Sequence, residues 1–205
     1  MERSQFYARW SSLHGDTPAT GIVKVWLAIS YSLMRPFVLL KVSPNLITIL
    51  GVVASIATWL SAYHWYAALF LVLSLAADGV DGTLAVLRGV EGKWGALVDA
   101  FCDRISEVIW ALAFYKIGAP TIVIAVAWLA AGTQEYVRAR MGGLGATAIE
   151  VVTIAERPVR ASLLFIALVS IHTNFDMVNR AAWMWLIMQL ISFVLVFNDG
   201  YRRLK

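Results

Sequence analysis

Residues 78–107 read DGVDGTLAVLRGVEGKWGALVDAFCDRISE and hold four aspartates, Asp78, Asp81, Asp99 and Asp103. The first two are three residues apart and the second two are four apart, so each pair shares one face of a helix. The segment between the pairs is short, which predicts that the two helices are antiparallel neighbours and that both pairs meet at one depth. Ionisable side chains in membrane spans are costly and mark functional sites by default.

This convergence of carboxylates predicts a metal site. Four carboxylates in one place repel each other unless a cation lies between them. Carboxylate oxygens suit Mg²⁺, Mn²⁺ or Ca²⁺, and no His or Cys pair stands among them to favour zinc. Two ions that share carboxylates form the usual arrangement for displacement at phosphorus. Two other interpretations stay open from these residues alone: charges at helix ends in the membrane interface, and a pathway for ions or protons.

The composition of the whole chain predicts a membrane protein of one domain. Of its 205 residues, 60% are hydrophobic and 15% are charged, against about 25% charged in soluble domains. Its mean hydropathy is +0.72, and its nine Trp suit two membrane–water interfaces. The single cysteine excludes an intrachain disulfide. The sequence has no basic run interleaved with aromatics, so nucleic-acid binding is not expected. Residues 1–20 are polar and do not resemble a signal peptide.

Apolar segments of about 20 residues indicate transmembrane helices. Six are predicted, at 46–63, 65–87, 96–116, 119–139, 157–173 and 181–199. Residues 20–41 are also apolar, but Lys24, Arg35, Pro36 and Lys41 interrupt them. That pattern predicts an amphipathic helix along the interface, broken near Pro36, with a seventh span as the alternative. We therefore expect an all-α integral membrane protein with an interfacial segment 1–43 and a six-helix catalytic domain 44–205.

The positions of the basic residues predict the orientation in the membrane. With six spans, 14 of the 17 Lys and Arg residues fall on one side, only Lys116 and Arg180 fall on the other, and Arg104 lies inside the third span. Basic residues accumulate on the cytoplasmic side, so both termini and the aspartates are expected there, in the cell membrane. The net charge of +4 would also attract phosphate-bearing substrates or anionic lipids.

The aspartate stretch resembles the signature of the CDP-alcohol phosphotransferases, D-x-x-D-G-x-x-A-R, eight residues, then G-x-x-x-D-x-x-x-D. The matching residues are Asp78, Asp81, Gly82, Ala85, Gly95, Asp99 and Asp103. Val86 departs from the pattern, because the family has Arg there. Arg88 could take over part of the phosphate contact, although it points to a different helix face. A degenerate, regulatory homologue is the other explanation of Val86.

The resemblance implies a role for each matching residue. It implies two Mg²⁺ or Mn²⁺ ions held by Asp78, Asp81, Asp99 and Asp103, with Asp103 also acting as the general base. The nucleotide would lie against Gly82, Ala85 and Gly95, where a missing or small side chain lets it approach the backbone. Arg88 would contribute, as would Asn45 and Thr48 in the segment SPNLIT at 43–48, which resembles a further family motif. Family members are homodimers, which implies the same here.

A narrower resemblance, to the actinobacterial phosphatidylinositol-phosphate synthases, concerns the acceptor. It rests on CDRIS at 102–106, RAR at 138–140 and ERPVR at 156–160. It implies that Arg138, Arg157 and Arg160 hold the phosphate of an inositol phosphate, which guanidinium groups bind by paired hydrogen bonds. Positive-inside topology would place basic residues there as well.

The expected reaction is transfer of a phosphatidyl group from a CDP-linked lipid, most simply CDP-diacylglycerol, to a small alcohol, with release of CMP. Inositol phosphate is the first candidate for the acceptor. The alternatives are glycerol 3-phosphate, free inositol and serine. With glycerol 3-phosphate the chain would be a phosphatidylglycerophosphate synthase. A cation-coupled transporter is the rival from another class. It would hold its carboxylates near the middle of the membrane on broken helices, whereas these lie at helix ends.

Overall fold

The computed structural model describes residues 1–13, 18–146 and 151–205, which contain eight α-helices and no strand. The six apolar segments are helices within a few residues of the predicted bounds, so the all-α prediction is confirmed. The first helix, in the polar N-terminal segment, was not predicted. The helices are α1 (Arg3–Leu13), α2 (Gly21–Leu39), α3 (Pro44–Leu60), α4 (Ala67–Arg88), α5 (Lys93–Lys116), α6 (Thr121–Gly143), α7 (Arg157–Ser170) and α8 (Val178–Leu204).

Contacts between residues divide the chain into two compact units. The first contains residues 1–54 and 73–105, and the second contains residues 55–72 and 106–205. Both aspartate pairs belong to the first unit, together with α1 and α2. The second unit contains α6, α7 and α8 and the three arginines expected to bind the acceptor.

The break expected near Pro36 lies further along the chain. Helix α2 continues through Pro36 and ends at Leu39. Lys41 then adopts the left-handed conformation (φ 53°), and the amide of Val42 donates to the carbonyl of Phe37 at 3.0 Å. This is a Schellman cap, which satisfies carbonyls at the end of a helix. A proline removes one hydrogen bond from a helix interior, and here the cap, not the proline, redirects the chain: residues 23–39 and α3 meet at 113°.

The apolar core of the first unit joins α1 to α2, α3 and α4. Phe6 of α1 is fully buried there against Tyr31 of α2, with ring centroids 5.4 Å apart. Ile47 of α3 and Leu84 of α4 lie in the same cluster. Burial of these side chains fixes the N-terminal helix on the helices that carry the first aspartate pair.

In the second unit, α6 and α8 pack side by side and run in the same direction. The amide of Gln189 donates to the Gln134 side-chain oxygen at 2.8 Å, and both residues are fully buried. Further along, the Met141 sulfur lies 2.8 Å from where a side chain at Gly200 would begin. The absence of a Cβ at Gly200 therefore allows the close approach of the two helices. Their C-terminal ends meet on one side of the unit.

Within the described residues, α4 and α8 are long and apolar enough to cross a membrane, and the number rises to three if residues 23–39 and α3 form one bent span. With 17 and 14 residues, α3 and α7 are shorter than the roughly 20 residues of a full span. Charged side chains such as Asp99, Arg104 and Arg138 interrupt α5 and α6. The number of six spans stays a prediction.

Candidate active site

Three of the four aspartates converge in the first unit. Asp78 comes from α4, and Asp99 and Asp103 come from successive turns of α5. Each offers a carboxylate oxygen, and these three oxygens lie within 4.8 Å of one another. The side chains are partly exposed, so a hydrated ion can reach them. Three hard oxygen ligands at this separation fit a cation such as Mg²⁺ or Mn²⁺.

Asp81 lies outside that group of three, and hydrogen bonds hold its buried carboxylate. The Thr48 hydroxyl donates to Asp81 Oδ2 at 2.5 Å, and the Gly82 amide donates to Asp81 Oδ1 at 2.6 Å. A carboxylate can accept about four hydrogen bonds or metal contacts, so both oxygens keep capacity for an ion. Thr48, expected to reach the nucleotide, is buried and also donates to the carbonyl of Pro44 at 3.2 Å.

The two glycines of the motif border open space. A side chain at Gly82 would meet no atom within 4 Å, and one at Gly95 would meet only the Asn45 side-chain oxygen, at 3.8 Å. Asn45 and Gly95 are thus neighbours, as a shared nucleotide site requires. Ala85 is partly exposed one turn after Asp81. These residues form a smooth surface that a base or a phosphate could approach.

Val86 and Arg88 have structural contacts of their own. Val86 is 5% exposed and belongs to the apolar cluster with Leu84 and Phe6. Arg88 Nη1 donates to the backbone carbonyl of Val42 at 2.6 Å, in the turn between α2 and α3. The place of the family arginine is thus filled by a core side chain, and the nearby arginine supports a loop.

The three arginines expected to bind the acceptor lie in the second unit, where Arg138 and Arg160 form a network with three glutamates. Arg160 Nη1 is 3.1 Å from Glu107 Oε1, and Arg160 Nη2 is 3.4 Å from Glu135. Arg138 binds Glu135 at 3.1 Å and holds Glu156 with both terminal nitrogens, at 3.0 and 2.7 Å. In this network of Arg138 and Arg160, the positive charges are largely offset by carboxylates.

Arg157 has a different environment. Its guanidinium carbon lies 5.1 Å from the ring centroid of Trp110. Trp110 is buried, and its indole N–H donates to the Ser55 hydroxyl at 3.1 Å. An arginine over an aromatic face keeps hydrogen-bonding directions in the guanidinium plane. Arg157 therefore differs from Arg138 and Arg160 in lying against an aromatic ring.

Glu156 remains ionised far below its ordinary range. Burial alone would raise the pKa of this carboxyl, but hydrogen bonds from Arg138 and from the backbone and side chain of Thr153 lower the pKa to about 2. The Thr153 amide and hydroxyl lie 2.7 and 2.8 Å from Glu156 Oε1. At neutral pH a charged Glu156 therefore holds Arg138 at the start of α7.

A family model described as CDP-alcohol phosphatidyltransferase matches residues 41–197. The chain belongs to this family. Over 148 residues it is 33% identical to a phosphatidylinositol phosphate synthase of Corynebacterium glutamicum, covering 66% of this chain and 64% of the relative. The matched region thus spans less than two thirds of that relative's length. An archaetidylinositol phosphate synthase of Pyrococcus horikoshii is 27% identical, over 81% of this chain and 87% of its own.

Two crystal structures of the Mycobacterium tuberculosis phosphatidylinositol phosphate synthase share the fold. The complex with CDP-DAG has a TM-score of 0.72 at 22% identity, covering 85% of this chain and 94% of the other. The complex with manganese and citrate has the same TM-score at 24% identity, covering 84% and 88%. The chain belongs to a membrane-embedded family and contains helices apolar and long enough to cross a membrane. It is therefore an integral membrane protein.

Two side-chain contacts between helices could not be predicted from the sequence. The bond from Thr48 to Asp81 joins α3 to α4, and the Glu107–Arg160 pair joins α5 to α7. Glu107 lies inside the predicted third span, 96–116. Its position inside an apolar segment indicated a buried partner, but the pattern along one helix could not identify a residue on another.

Proposed function

We propose that this chain transfers a phosphatidyl group from a CDP-linked lipid to the hydroxyl of a small alcohol, with CMP as the other product. The observation that carries the proposal is the convergence of Asp78, Asp99 and Asp103. Their carboxylate oxygens lie within 4.8 Å and come from both halves of the family motif. A cluster of three carboxylates at the end of membrane helices suits a substrate rich in phosphate oxygens only when a cation accompanies it.

Asp78, Asp99 and Asp103 would hold a divalent cation, Mg²⁺ or Mn²⁺. A second ion shared with Asp81 is part of the proposal, since both oxygens of Asp81 can accept further contacts. Bound there, such ions neutralise charge on a pyrophosphate and on the departing phosphate. The manganese complex of the M. tuberculosis relative supports this choice of metal.

Asp103 would accept the proton of the acceptor hydroxyl. The hydroxyl oxygen then forms a bond to the phosphorus that carries the lipid, the bond from that phosphorus to the CMP oxygen breaks, and CMP leaves with the electron pair. Gly82, Ala85, Gly95 and Asn45 would form the surface for cytidine. Thr48 would act indirectly, by orienting Asp81.

For the donor we propose CDP-diacylglycerol, since the M. tuberculosis relative was crystallised with CDP-DAG bound. For the acceptor we propose an inositol phosphate, since the named relatives are a phosphatidylinositol phosphate synthase and an archaetidylinositol phosphate synthase. Arg157 would be its main phosphate ligand. A neutral alcohol is the second candidate, because glutamates already offset the charges of Arg138 and Arg160.

The proposal includes a setting in the membrane. The chain would cross the cytoplasmic membrane six times with both termini and the active site on the cytoplasmic side. The first 43 residues would lie along the interface, and two copies would form a homodimer. The charge distribution supports the orientation, and the family resemblance supports the dimer.

The test is CMP release by purified protein with CDP-diacylglycerol and one acceptor at a time: inositol phosphate, glycerol 3-phosphate, inositol or serine. We expect CMP only when Mg²⁺ or Mn²⁺ is present, and fastest release with inositol phosphate. Asp78→Asn should abolish it, and Asp199→Asn, which removes a surface carboxylate paired with Arg203, should not. Undiminished CMP release in EDTA would refute the mechanism.

A further inference from the structure

A cavity of about 460 Å³ lies between the C-terminal ends of α6 and α8. It belongs wholly to the second unit and contains none of the residues assigned to the reaction. Its wall is almost entirely apolar and includes Met141, Leu144 and Phe197. Leu144 and Phe197 are 54% and 60% exposed, so the cavity opens to the surroundings of the helices. In the proposed membrane setting, this end of α6 and α8 would lie at the lipid interface.

Positive charge is concentrated at this cavity. Arg140 and Lys205 line it, and none of its described lining residues is acidic. Lys205 Nζ donates to the Tyr201 hydroxyl at 3.1 Å and lies 5.3 Å from the centre of the Tyr201 ring. The ammonium group is therefore held near the wall. Two helix C-termini add partial negative charge of about half a unit each, which the two full positive charges outweigh.

We propose that this cavity binds an anionic phospholipid of the bilayer. Its phosphate would contact Arg140 and Lys205, and an acyl chain would cover the wall formed by Met141, Leu144 and Phe197. The combination of an apolar wall and a basic rim at the end of membrane helices matches the two parts of such a lipid. A zwitterionic lipid would satisfy the wall but would bring no net negative charge to Arg140 and Lys205.

The residues that line this cavity are also different from those of the proposed donor site. The carboxylates and the motif glycines lie in the first unit, and the cavity is lined only by α6, α8 and the residues that follow them. A bound lipid here would bridge two parallel helices where Gly200 allows their closest approach. It would act on the stability of the helix pair and not on the chemistry.

Lipid binding can be measured on delipidated protein by native mass spectrometry and by the melting temperature. Phosphatidylglycerol would be compared with phosphatidylcholine of the same acyl chains, without CDP-lipid. We expect phosphatidylglycerol to bind more tightly and to raise the melting temperature more. Each basic residue near a headgroup is worth roughly fivefold in affinity, so Arg140→Gln with Lys205→Gln should weaken phosphatidylglycerol binding roughly thirtyfold. Leu144→Trp, which fills the cavity and keeps the charges, should weaken both lipids.

Matched controls define the outcome. Arg202→Gln removes an exposed charge next to Tyr201 that does not line the cavity, and it should leave lipid binding unchanged. Asp78→Asn should also leave it unchanged, because the donor site is elsewhere. Equal binding of both lipids by the unmodified protein, or full retention by the Arg140→Gln and Lys205→Gln variant, would overturn the proposal. If that variant lost a dimer while lipid binding stayed unaltered, the proposal would be overturned, and a second copy of the chain would be the occupant of the cavity.

Discussion

The Arg160 guanidinium lies 3.1 Å from the Glu107 carboxylate, and the two side chains are 2% and 1% exposed. Glu107 stands one turn after Asp103 on α5, so the pair ties the helix of the expected base to the start of α7. Removing one partner of a buried ion pair leaves an uncompensated charge and costs about 3–5 kcal/mol.

We therefore expect Glu107→Gln or Arg160→Gln to lower the melting temperature strongly. The double variant should recover part of the loss, because no lone charge then remains. Arg9→Ala is the control. It removes an ion pair with Glu91 in which Arg9 is 52% exposed, and such exposed pairs contribute about 0.2–1 kcal/mol. If breaking the exposed pair and breaking the buried pair lowered the melting temperature equally, burial could not be what makes the Glu107–Arg160 pair important for stability.

Asp103→Asn should abolish CMP release and leave CDP-lipid binding largely intact, because Asp78 and Asp99 still offer two ligands to an ion. Asp78→Asn should lose both properties. Donor binding can be followed by calorimetry with a short-chain CDP-lipid in Mn²⁺. Normal turnover by Asp103→Asn would show that another group removes the proton.

Val86→Arg should destabilise the protein and not tighten donor binding. Val86 is 5% exposed in the apolar cluster of Phe6, Leu27 and Leu84, and a guanidinium there would lack both water and a carboxylate. We expect a loss of about 3 kcal/mol or more, within the range for an unpaired buried charge. Val86→Leu should cost less than about 1.5 kcal/mol, as hydrophobic swaps do. Unchanged melting with a lower donor KM would show that the pocket still accepts the family arginine.

The contribution of Glu156 to stability should disappear in acid. Because its pKa falls from 4.5 to about 2 on folding, the contribution is complete above about pH 4.5 and is lost as pH falls towards 2. Glu156→Gln should therefore lower the melting temperature at neutral pH. We expect its free energy of unfolding to fall by about 1.5 kcal/mol, near the lower end for charged hydrogen bonds, since 27% of the side chain is exposed. The two melting curves should converge at low pH, and a constant gap would contradict the assignment.

Arg157→Ala should raise the KM for inositol phosphate much more than the KM for the CDP donor. It removes binding to the acceptor alone, and each charged hydrogen bond to phosphate is worth roughly tenfold or more in affinity. Arg157→Lys should recover only part of the affinity for inositol phosphate, since an ammonium group cannot form the paired contacts. The loss should be smaller for a neutral alcohol. If the KM of every phosphorylated acceptor stayed the same, free inositol or serine would become the better candidate.

Much of the architecture could be predicted from the sequence, because each apolar segment is a local pattern. The convergence of Asp78 with Asp99 and Asp103 could be predicted too, from helix spacing and a short connection. Burial of Phe6 could not, because residues 1–20 are polar on average and a single aromatic gives no periodicity. The partner of Glu107 could not be predicted either, since it depends on how α7 packs. The burial of Val86 could not be predicted either, because it depends on how α1 and α2 pack against α4.

In the proposed arrangement of six spans, α7 would return the chain across the membrane between α6 and α8, which run in the same direction. Its 14 residues give about 21 Å at 1.5 Å per residue, against a hydrocarbon layer of about 30 Å. As a span, α7 would require the bilayer beside it to thin, or flanking residues to enter it. Reconstitution in lipids with shorter acyl chains should raise the melting temperature, and in a mixed membrane the same mismatch would draw the protein towards thinner regions.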